Sequence, residues 1–456
     1  MNYLLATLVV SLGTVALSRP AALQAQADVQ ERGGNMRQDG PTIPVASLKL
    51  TLADALERAK TLSPALEVAL TNVRIAAEGT LQARAANLPT VTANSQYLYT
   101  QGNGTPAARY IANNGVHEYI AQGDVHQSIS GPLLEQYRRS QVLEALARDQ
   151  AVIAQRGLIV AVVQNYAALA AAEGRLKTLE ETLDAAQQFL KTTQELENGG
   201  EVAHADVVKA RIQASDNQVA LNGAQLAREQ ARLALALLLF PDVNQPFEVV
   251  DDPGQMLLLP AFAEAQARAR KDDPQVDAAL RTERAARKDV TAAWAGYLPS
   301  LTFDYFYGID ANQFAARTVL PDGKMFQNLG YSALATLSLP IFNWGATQSR
   351  VKQAEYLKQQ ATTALTYARR KLNADLQQFY RDAQDAKSEM ATRQGSAADA
   401  VESQKLTLLR YKAGESTALE VVNAEATVSL ERNAYYDAEV RYATALANLA
   451  TRTGTL

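Results

Sequence analysis

The sequence contains no cysteine, and it has only three histidines and five methionines among its 456 residues. Without cysteine the chain can form no disulfide, no thiolate metal site, no cysteine nucleophile and no lipid-modified cysteine. The histidines, His117, His126 and His204, are too scattered to give metal-ligand spacing on one helix. The few methionines do not cluster, which argues against a copper or silver exporter that passes soft ions along thioethers. We therefore expect no bound metal.

The motifs that carry most enzyme chemistry are also missing. No glycine-rich phosphate loop follows a strand pattern, and no nucleophile elbow is present. The 44 basic and 48 acidic residues are mixed along the chain, so the charge distribution gives no reason to expect nucleic acid. We therefore predict a protein that is not an enzyme, with no catalytic residues, no cofactor and no nucleic-acid partner.

The first 27 residues have the pattern of a secretory signal peptide. An apolar run from Leu4 to Leu17 precedes Ala25-Gln26-Ala27, a small-x-small cleavage pattern. No Lys or Arg precedes the run, and a buried N-terminal helix is the alternative. We expect residues 28–47 to form a flexible lead. No later apolar run reaches the roughly 20 residues of a membrane helix, so a membrane span would have to be a closed β-barrel.

The remaining chain divides into two similar halves, residues 48–250 and 251–456. Two proline motifs recur in order and 25 residues apart in both halves: Ser63-Pro64 and Leu88-Pro89, then Asp273-Pro274 and Leu298-Pro299. Further matches follow: Gly131-Pro132-Leu133 with Leu339-Pro340-Ile341, and Asn198-Gly199-Gly200-Glu201 with Lys412-Ala413-Gly414-Glu415. Four ordered matches at nearly one offset indicate an internal duplication. Each half reads as a helical segment (Leu52 to about Ala86, Pro260 to about Ala295), a strand pair around a polar loop, and a long helical hairpin.

Alternation of apolar and polar residues predicts four strands. The apolar positions are Val91, Ala93, Tyr97 and Tyr99; Tyr119, Ala121, Val125 and Ile129; Leu301, Phe303, Tyr305, Tyr307 and Ile309; and Tyr331, Ala333, Ala335, Leu337, Leu339 and Ile341. About ten residues with aromatics near one end suit a tilted transmembrane strand, although a sandwich strand has the same alternation. Four strands cannot close a barrel around a channel, so several chains would have to contribute.

Two segments carry the apolar spacing of coiled coils. Between Ala354 and Met390, apolar residues recur every three or four positions. The first-half segment from Leu134 to Asn198 has no proline, and as a helix it would be about 95–100 Å long. We expect such helices to pack as hairpins. Their turns fall at Gly199-Gly200 and at Gly414, because glycine tolerates the left-handed conformation of a helix end.

Together these features resemble the TolC-like outer-membrane efflux proteins over about residues 48–453. The most specific matches are Leu339-Pro340-Ile341-Phe342-Asn343-Trp344-Gly345, Arg410-Tyr411-Lys412-Ala413-Gly414 with Leu419-Glu420-Val421, and Gly200 with Ala205-Asp206-Val207. The resemblance implies a mainly α-helical protomer with a transmembrane β part. It implies a homotrimer in the outer membrane, where a twelve-stranded β-barrel continues as a twelve-helix α-barrel across the periplasm. A periplasmic adaptor protein, an inner-membrane transporter and outer-membrane lipid are the implied partners.

The same resemblance places a constriction at the hairpin tips. Asp206, Tyr411 and Glu420 match the positions of the family's gate residues, and three copies of either acid would form a ring that attracts cations. The alternative is that both acids are solvated and simply favoured by a helix N-terminus.

One departure from the family pattern concerns a basic residue that follows the tip glycine in some members. Glu415 and Ser416 stand at that place here. Lys412, Arg410 or Lys209 could supply the missing charge, so the pattern of links between hairpins stays open.

The predicted function is a passive exit duct for a tripartite efflux pump or a type I secretion system. A periplasmic adaptor with a coiled-coil hairpin is the alternative, since it shares the export signal, the heptads and the partners. An adaptor does not explain two duplicated hairpins and four strands. The sequence gives no distinction between drug efflux, metal efflux and protein secretion.

Overall fold

A computed structural model describes residues 48–100, 116–250, 259–319 and 322–455. The signal peptide and the lead expected before residue 48 lie outside the described residues. The first half contains β1 (Leu48–Leu50), α1 (Leu52–Leu62), α2 (Pro64–Ala85), β2 (Thr90–Tyr99), β3 (His117–Ile129), α3 (Gly131–Asn198) and α4 (His204–Leu239). The second half contains β4 (Phe247–Val249), α5 (Phe262–Asp272), α6 (Pro274–Ala295), β5 (Ser300–Ala311), β6 (Arg317–Val319), β7 (Met325–Gln327), β8 (Leu329–Ser338), α7 (Ala346–Lys412) and α8 (Ala418–Thr453).

The duplication extends to the lengths of the helices. The corresponding pairs have 11 and 11, 22 and 22, 68 and 67, and 36 and 36 residues. The described chain is therefore mainly helical and internally duplicated.

The leading helical segment of each half is two helices, where the sequence suggested one. Proline lacks an N–H and disfavours helical backbone in the residue before it, so a helix ends there. Ser63 then caps α2 by accepting a hydrogen bond from Leu66 N at 3.3 Å. Asp273 caps α6 by accepting from the backbone N–H groups of Gln275 and Val276, both at 2.9 Å.

The long helices do not have partners of equal length. With 68 residues, α3 extends for about 100 Å, whereas α4 has 36 residues. Along α3, α4 packs beside the half that leads to the tip and α2 beside the half that leads to the sheet. In the same way, α7 packs against α8 and α6, and α3 also contacts α6 and α8. Each predicted hairpin is thus one long helix lined by two shorter ones.

The buried stripe of α7 follows the predicted spacing. Its buried apolar residues are Val351, Ala354, Ala361, Leu365, Leu372, Leu376, Ala383, Ala386 and Ala400. Leu357, which fits the same spacing, is 49% exposed. The many alanines let neighbouring helices approach closely.

Strands β2, β3, β5 and β8 form one antiparallel sheet in that order. Opposed residues include Val91 with Val125, Val125 with Tyr305, and Tyr305 with Ala333. Since opposed residues point to the same face, the predicted apolar residues within the four strands share one face. Leu339 and Ile341, predicted as part of the fourth strand, lie beyond its end at Ser338. Several large members are exposed, among them Val91, Tyr97, Phe303, Tyr307, Tyr331 and Leu337.

The opposite face of this sheet is polar and acidic. The four strands contain no Lys or Arg. Their carboxylates all lie on this face, as the register shows: Glu118, Asp124, Asp304 and Asp310. The sheet is therefore amphipathic, with an uncovered apolar face and a negatively charged polar face.

A short parallel strand pair joins the two halves. Leu48 of β1 opposes Phe247 of β4. The Tyr166 hydroxyl of α3 lies within hydrogen-bond distance of two carbonyl oxygens, that of Leu50 at 3.0 Å and that of Val250 at 2.7 Å, and can donate its one proton to either. A core around Leu50, Leu158, Val162, Leu235, Leu239 and Phe247 fixes this pair against α1, α3 and α4. This strand pair was not predicted from the sequence.

Among the described helices, α3 contains one 18-residue window that is apolar enough to cross a membrane by length and composition. No such stretch was expected from the sequence. Of this window, 33% is buried inside the chain, and the buried apolar residues of α3 include Leu158, Ile159 and Val162.

Candidate functional site at the hairpin tips

The two hairpins turn in the same way. Gly200 and Gly414 have left-handed backbone, with φ of +77° and +76°. After each, a backbone N–H closes the helix end: Glu201 donates to Leu196 O and Glu415 to Arg410 O, both at 2.9 Å. Gly199 has φ of −78°, so the left-handed conformation expected for the first turn falls on its second glycine.

Tyr411 is the centre of a small core at the tips. It is 4% exposed and packs with Phe189 of α3, Ala210 of α4, and Ala418 and Val421 of α8. The ring of Phe189 meets the ring of Tyr411 edge-on, with centroids 5.0 Å apart. All four long-hairpin helices therefore contribute to one contact, and Tyr411 lies inside it.

The Tyr411 hydroxyl contacts the other hairpin. It donates to Thr193 Oγ1 of α3 at 3.4 Å. Thr193 in turn donates to the carbonyl of Phe189 at 2.9 Å, one turn earlier in the same helix. The polar end of Tyr411 is thus engaged between α7 and α3 within one protomer.

Asp206 and Glu420 occupy equivalent positions in the first turns of α4 and α8. Lys209 contacts the carboxylate of Asp206 at 3.2 Å. Glu420 accepts from the Ser416 hydroxyl at 2.8 Å, and its backbone N–H donates to the Thr417 cap at 3.3 Å. Both acids complement the positive end of a helix. This local role is compatible both with an acidic gate ring and with solvated acids at a helix N-terminus.

The basic residues considered as substitute links make local contacts. Arg410 donates to the backbone carbonyl of Glu415 within its own turn, at 3.2 Å. Lys209 pairs with Asp206 in the first turn of α4. Within one protomer these two contacts stabilise the turns and do not join the hairpins.

Ion pairs behind the tip core join α8 to its neighbours. Arg432 contacts Glu181 of α3 at 2.5 Å, and Asp437 pairs with Arg175 of α3. On the other side, Arg393 of α7 contacts Glu431 at 2.9 Å. These pairs were not predicted from the sequence. In the sequence, these residues are recognisable only as charges beside an apolar stripe. This pattern does not show which residue each charge pairs with.

The three histidines lie apart and each has its own polar partner. His117 Nδ1 is 2.7 Å from the Tyr97 hydroxyl, His126 Nδ1 is 2.6 Å from Asp304, and His204 Nδ1 is 2.7 Å from Glu197. Across the described residues, no group of three or more His, Asp or Glu side chains has the arrangement of a metal site.

The sequence of both halves matches one protein family. Residues 55–239 and 266–455 fit the family described as outer membrane efflux protein. The chain belongs to this family. The two matched segments correspond to the duplicated halves, and both include a hairpin tip. The efflux protein is therefore assigned to the outer membrane, and the assignment supports the channel rather than the adaptor alternative.

Named relatives agree with this assignment. The efflux protein is 26% identical over 314 residues to outer membrane protein OprJ of Pseudomonas aeruginosa, an alignment that covers 67% of this chain and 63% of OprJ. It is 24% identical over 423 residues to TolC of Escherichia coli, covering 89% of this chain and 82% of TolC. The fold resembles the CmeC outer membrane channel of Campylobacter jejuni, with a TM-score of 0.77 at 17% identity over 88% of this chain and 85% of CmeC.

Proposed function

We propose that three copies of the efflux protein form a gated duct through the outer membrane and periplasm. The observation that carries this proposal is the amphipathic four-stranded sheet. Strands β2 and β8 are the edge strands of this sheet, so their outer backbone groups are available for pairing with another copy. Three sheets of four strands would give a barrel of twelve, which removes every open edge.

Membrane insertion accounts for the two faces of the sheet. The exposed apolar face would contact lipid, as the alternation of membrane strands requires. The polar face would line the duct, and its carboxylates would give the outer section a negative potential. The long helices would continue the wall as a twelve-helix barrel on the periplasmic side.

The gate assigned to the hairpin tips uses residues from both repeats. Asp206 and Glu420 would contribute acidic rings where the twelve helices converge, and Tyr411 would hold α7 and α8 against α3. The equivalent first-turn positions of Asp206 and Glu420 support a shared role. A closed ring concentrates negative charge at the constriction, so the ring attracts cations.

A duct of this kind needs an energised partner, because the chain shows no nucleotide motif in its sequence. We assign a periplasmic adaptor protein and an inner-membrane transporter to that role. The duct would then serve as the exit of a tripartite efflux pump or a type I secretion system.

The architecture is tested by measuring the mass and shape of the mature protein in detergent, by light scattering and negative-stain microscopy. A trimer with a long tapered outline is the expected result. A monomer that needs no detergent contradicts the duct.

The gate is tested by ion selectivity in planar bilayers. Replacing Asp206 with Asn together with Glu420 with Gln should lower the preference for cations and change the conductance of the trimer. Glu67→Gln, an exposed acid of α2 far along the chain from either tip, is the matched control. Unaltered selectivity in the double variant would remove the gate assignment and leave the duct standing.

A further inference from the structure

Glu425 of α8 is a buried carboxyl group without a partner. Its residue is 2% exposed, and its Oε2 atom has no hydrogen-bond donor. Four other buried acids in the described chain contact cations: Glu135 with Arg138 and Lys288, Glu283 with Arg287, and Asp273 and Asp375 with Arg452. Glu425 differs from these four acids because no cation pairs with it.

The position of Glu425 is fixed by contacts before and after it. Val421, one turn earlier, packs in the tip core with Phe189 and Tyr411. Ser429, one turn later, has its hydroxyl 3.4 Å from Thr182 Oγ1 of α3. Glu425 thus lies in the contact of α8 with α3, directly behind the proposed gate.

The hydroxyl groups near this position do not donate hydrogen bonds to the Glu425 carboxyl group. Thr182 donates its hydroxyl proton to the Thr178 carbonyl at 2.7 Å, so Ser429 must be the donor in the contact with Thr182. Between Thr182 and Phe189, the buried residues Leu183 and Ala186 offer only apolar side chains. The α3 surface facing Glu425 therefore has no free donor.

Charged residues on the facing helices point to solvent. At the level of Glu425 they are Asp184 and Lys191 of α3, Glu402 and Lys405 of α7, and Arg211 and Asp216 of α4, all exposed. On α8 itself, Glu431 and Arg432 are paired with Arg393 and Glu181. Burial is therefore the cause that raises the pKa of Glu425 to about 7.

We propose that Glu425 is a proton-sensitive latch of the closed tip. While its carboxyl group is neutral, α8 packs against α3 and supports the contact around Tyr411. When the proton is lost, the charge is unfavourable in this apolar setting, and α8 separates from α3 so that water reaches the carboxylate. Glu425 is a positioning residue, since it acts on the gate through the packing of α8. The inference rests on the proposed duct and adds rising pH as an opening signal.

The direction of the pH effect follows from where the proton binds more tightly. The packed state holds the proton up to about pH 7, whereas a hydrated Glu425 would release it near its ordinary pKa of 4.5. Packing therefore weakens as pH rises between these values, and the loss is complete above the higher one. The interval from 4.5 to about 7 sets an upper limit of about 300-fold, for each protomer, on the change in the open-to-closed ratio.

The first test is the open probability of the reconstituted trimer between about pH 5 and about pH 8. We expect it to rise at least about ten-fold for the wild type and for Glu402→Gln, an exposed acid on α7. Glu425→Gln keeps the shape of the side chain but cannot ionise, so it should remain mostly closed at every pH. A Glu425→Gln variant that keeps the wild-type pH response overturns the latch.

The second test needs no conduction. Hydrogen exchange of residues 418–430, corrected for the intrinsic effect of pH, should become faster in the wild type at high pH and stay slow in Glu425→Gln. Equal exchange in the two proteins contradicts the latch. A wild-type protein that shows this exchange response but never conducts would keep the latch and refute the duct.

A covalent lock gives a third test. The Oγ atoms of Thr182 and Ser429 are 3.4 Å apart, and the chain has no cysteine of its own. Oxidation of a Thr182→Cys, Ser429→Cys variant should abolish the pH response, and a reductant should restore it. A response that persists in the oxidised trimer means that α8 does not leave α3, and the proposal falls.

Discussion

The guanidinium of Arg432 in α8 contacts the carboxylate of Glu181 in α3 at 2.5 Å, although 251 residues separate them in the chain. The neighbouring pair of Arg175 and Asp437 joins the same two helices with the charges exchanged. Sliding α8 along α3 would break both pairs. The two contacts therefore define the axial position of the second hairpin on the first.

Reversing one charge of the Arg432–Glu181 pair should loosen the tips. Both side chains are partly exposed, so the pair contributes only about 0.2–1 kcal/mol, and Arg432→Glu adds repulsion on top of that loss. We expect a several-fold higher leak current through the closed trimer. Combining Arg432→Glu with Glu181→Arg should restore the low leak, and a failure of this rescue would show that the pair does not hold the hairpins together.

Gly308 should be essential to the sheet. A Cβ atom at this position would lie closer than 3.0 Å to the backbone of Ala121 and Gln122 in β3. Gly330 of β8 opposes Gly308 in the register but has nothing within 4 Å of such an atom. Gly308→Ala should therefore reduce the yield of membrane-inserted trimer, while Gly330→Ala should not. Equal yields from the two variants would mean that β3 and β5 are not this close.

A charge on the apolar face of the sheet should impair membrane assembly. Phe303→Lys would place an ammonium group against lipid, at a cost of up to about 2–4 kcal/mol near the midplane. Thr302→Lys puts the same group on the polar face of the same strand and serves as the control. The measurement is the folded fraction in lipid vesicles across a urea series. Normal folding of Phe303→Lys would indicate that this face does not meet lipid.

The two glycines of the first tip should respond differently to alanine. At Gly200, φ of +77° strains any side chain, and Gly200→Ala should destabilise the turn by about 1 kcal/mol. At Gly199, φ of −78° is ordinary for alanine, so Gly199→Ala should be nearly neutral. Hydrogen exchange of the turn amides, Leu196 to Glu201, measures both. A larger effect at Gly199 would contradict the turn geometry.

Local patterns in the sequence were enough to predict the four strands of the large sheet and the long helix of each hairpin. The alternation in β5 and the three-and-four spacing in α7 depend on each residue's own neighbours, so both were visible without a structure. The helix starts at Pro64 and Pro274 were missed, because each leading segment was predicted as a single helix. Because alternation decides which residues share a face, it also predicted the apolar surface of the sheet.

Contacts between distant segments could not be predicted in this way. Nothing near Glu425 in the sequence shows that its side chain is buried, and an acid in a helix is normally solvated. The pairing of β1 with β4 depends on strands of three residues, too short to show a period. For Tyr411 the sequence suggested a gate position, while its burial against Phe189 became visible only in the fold.

The unequal helix lengths have a mechanical consequence. The gap between α2 and α4 lies beside unbroken α3, and the gap between α6 and α8 lies beside unbroken α7. A pull or twist applied at a hairpin tip can therefore reach the sheet along continuous helical backbone, without crossing a loop. The shorter helices stiffen the long helix along the parts that they cover. Each half can bend at the gap between its two shorter helices.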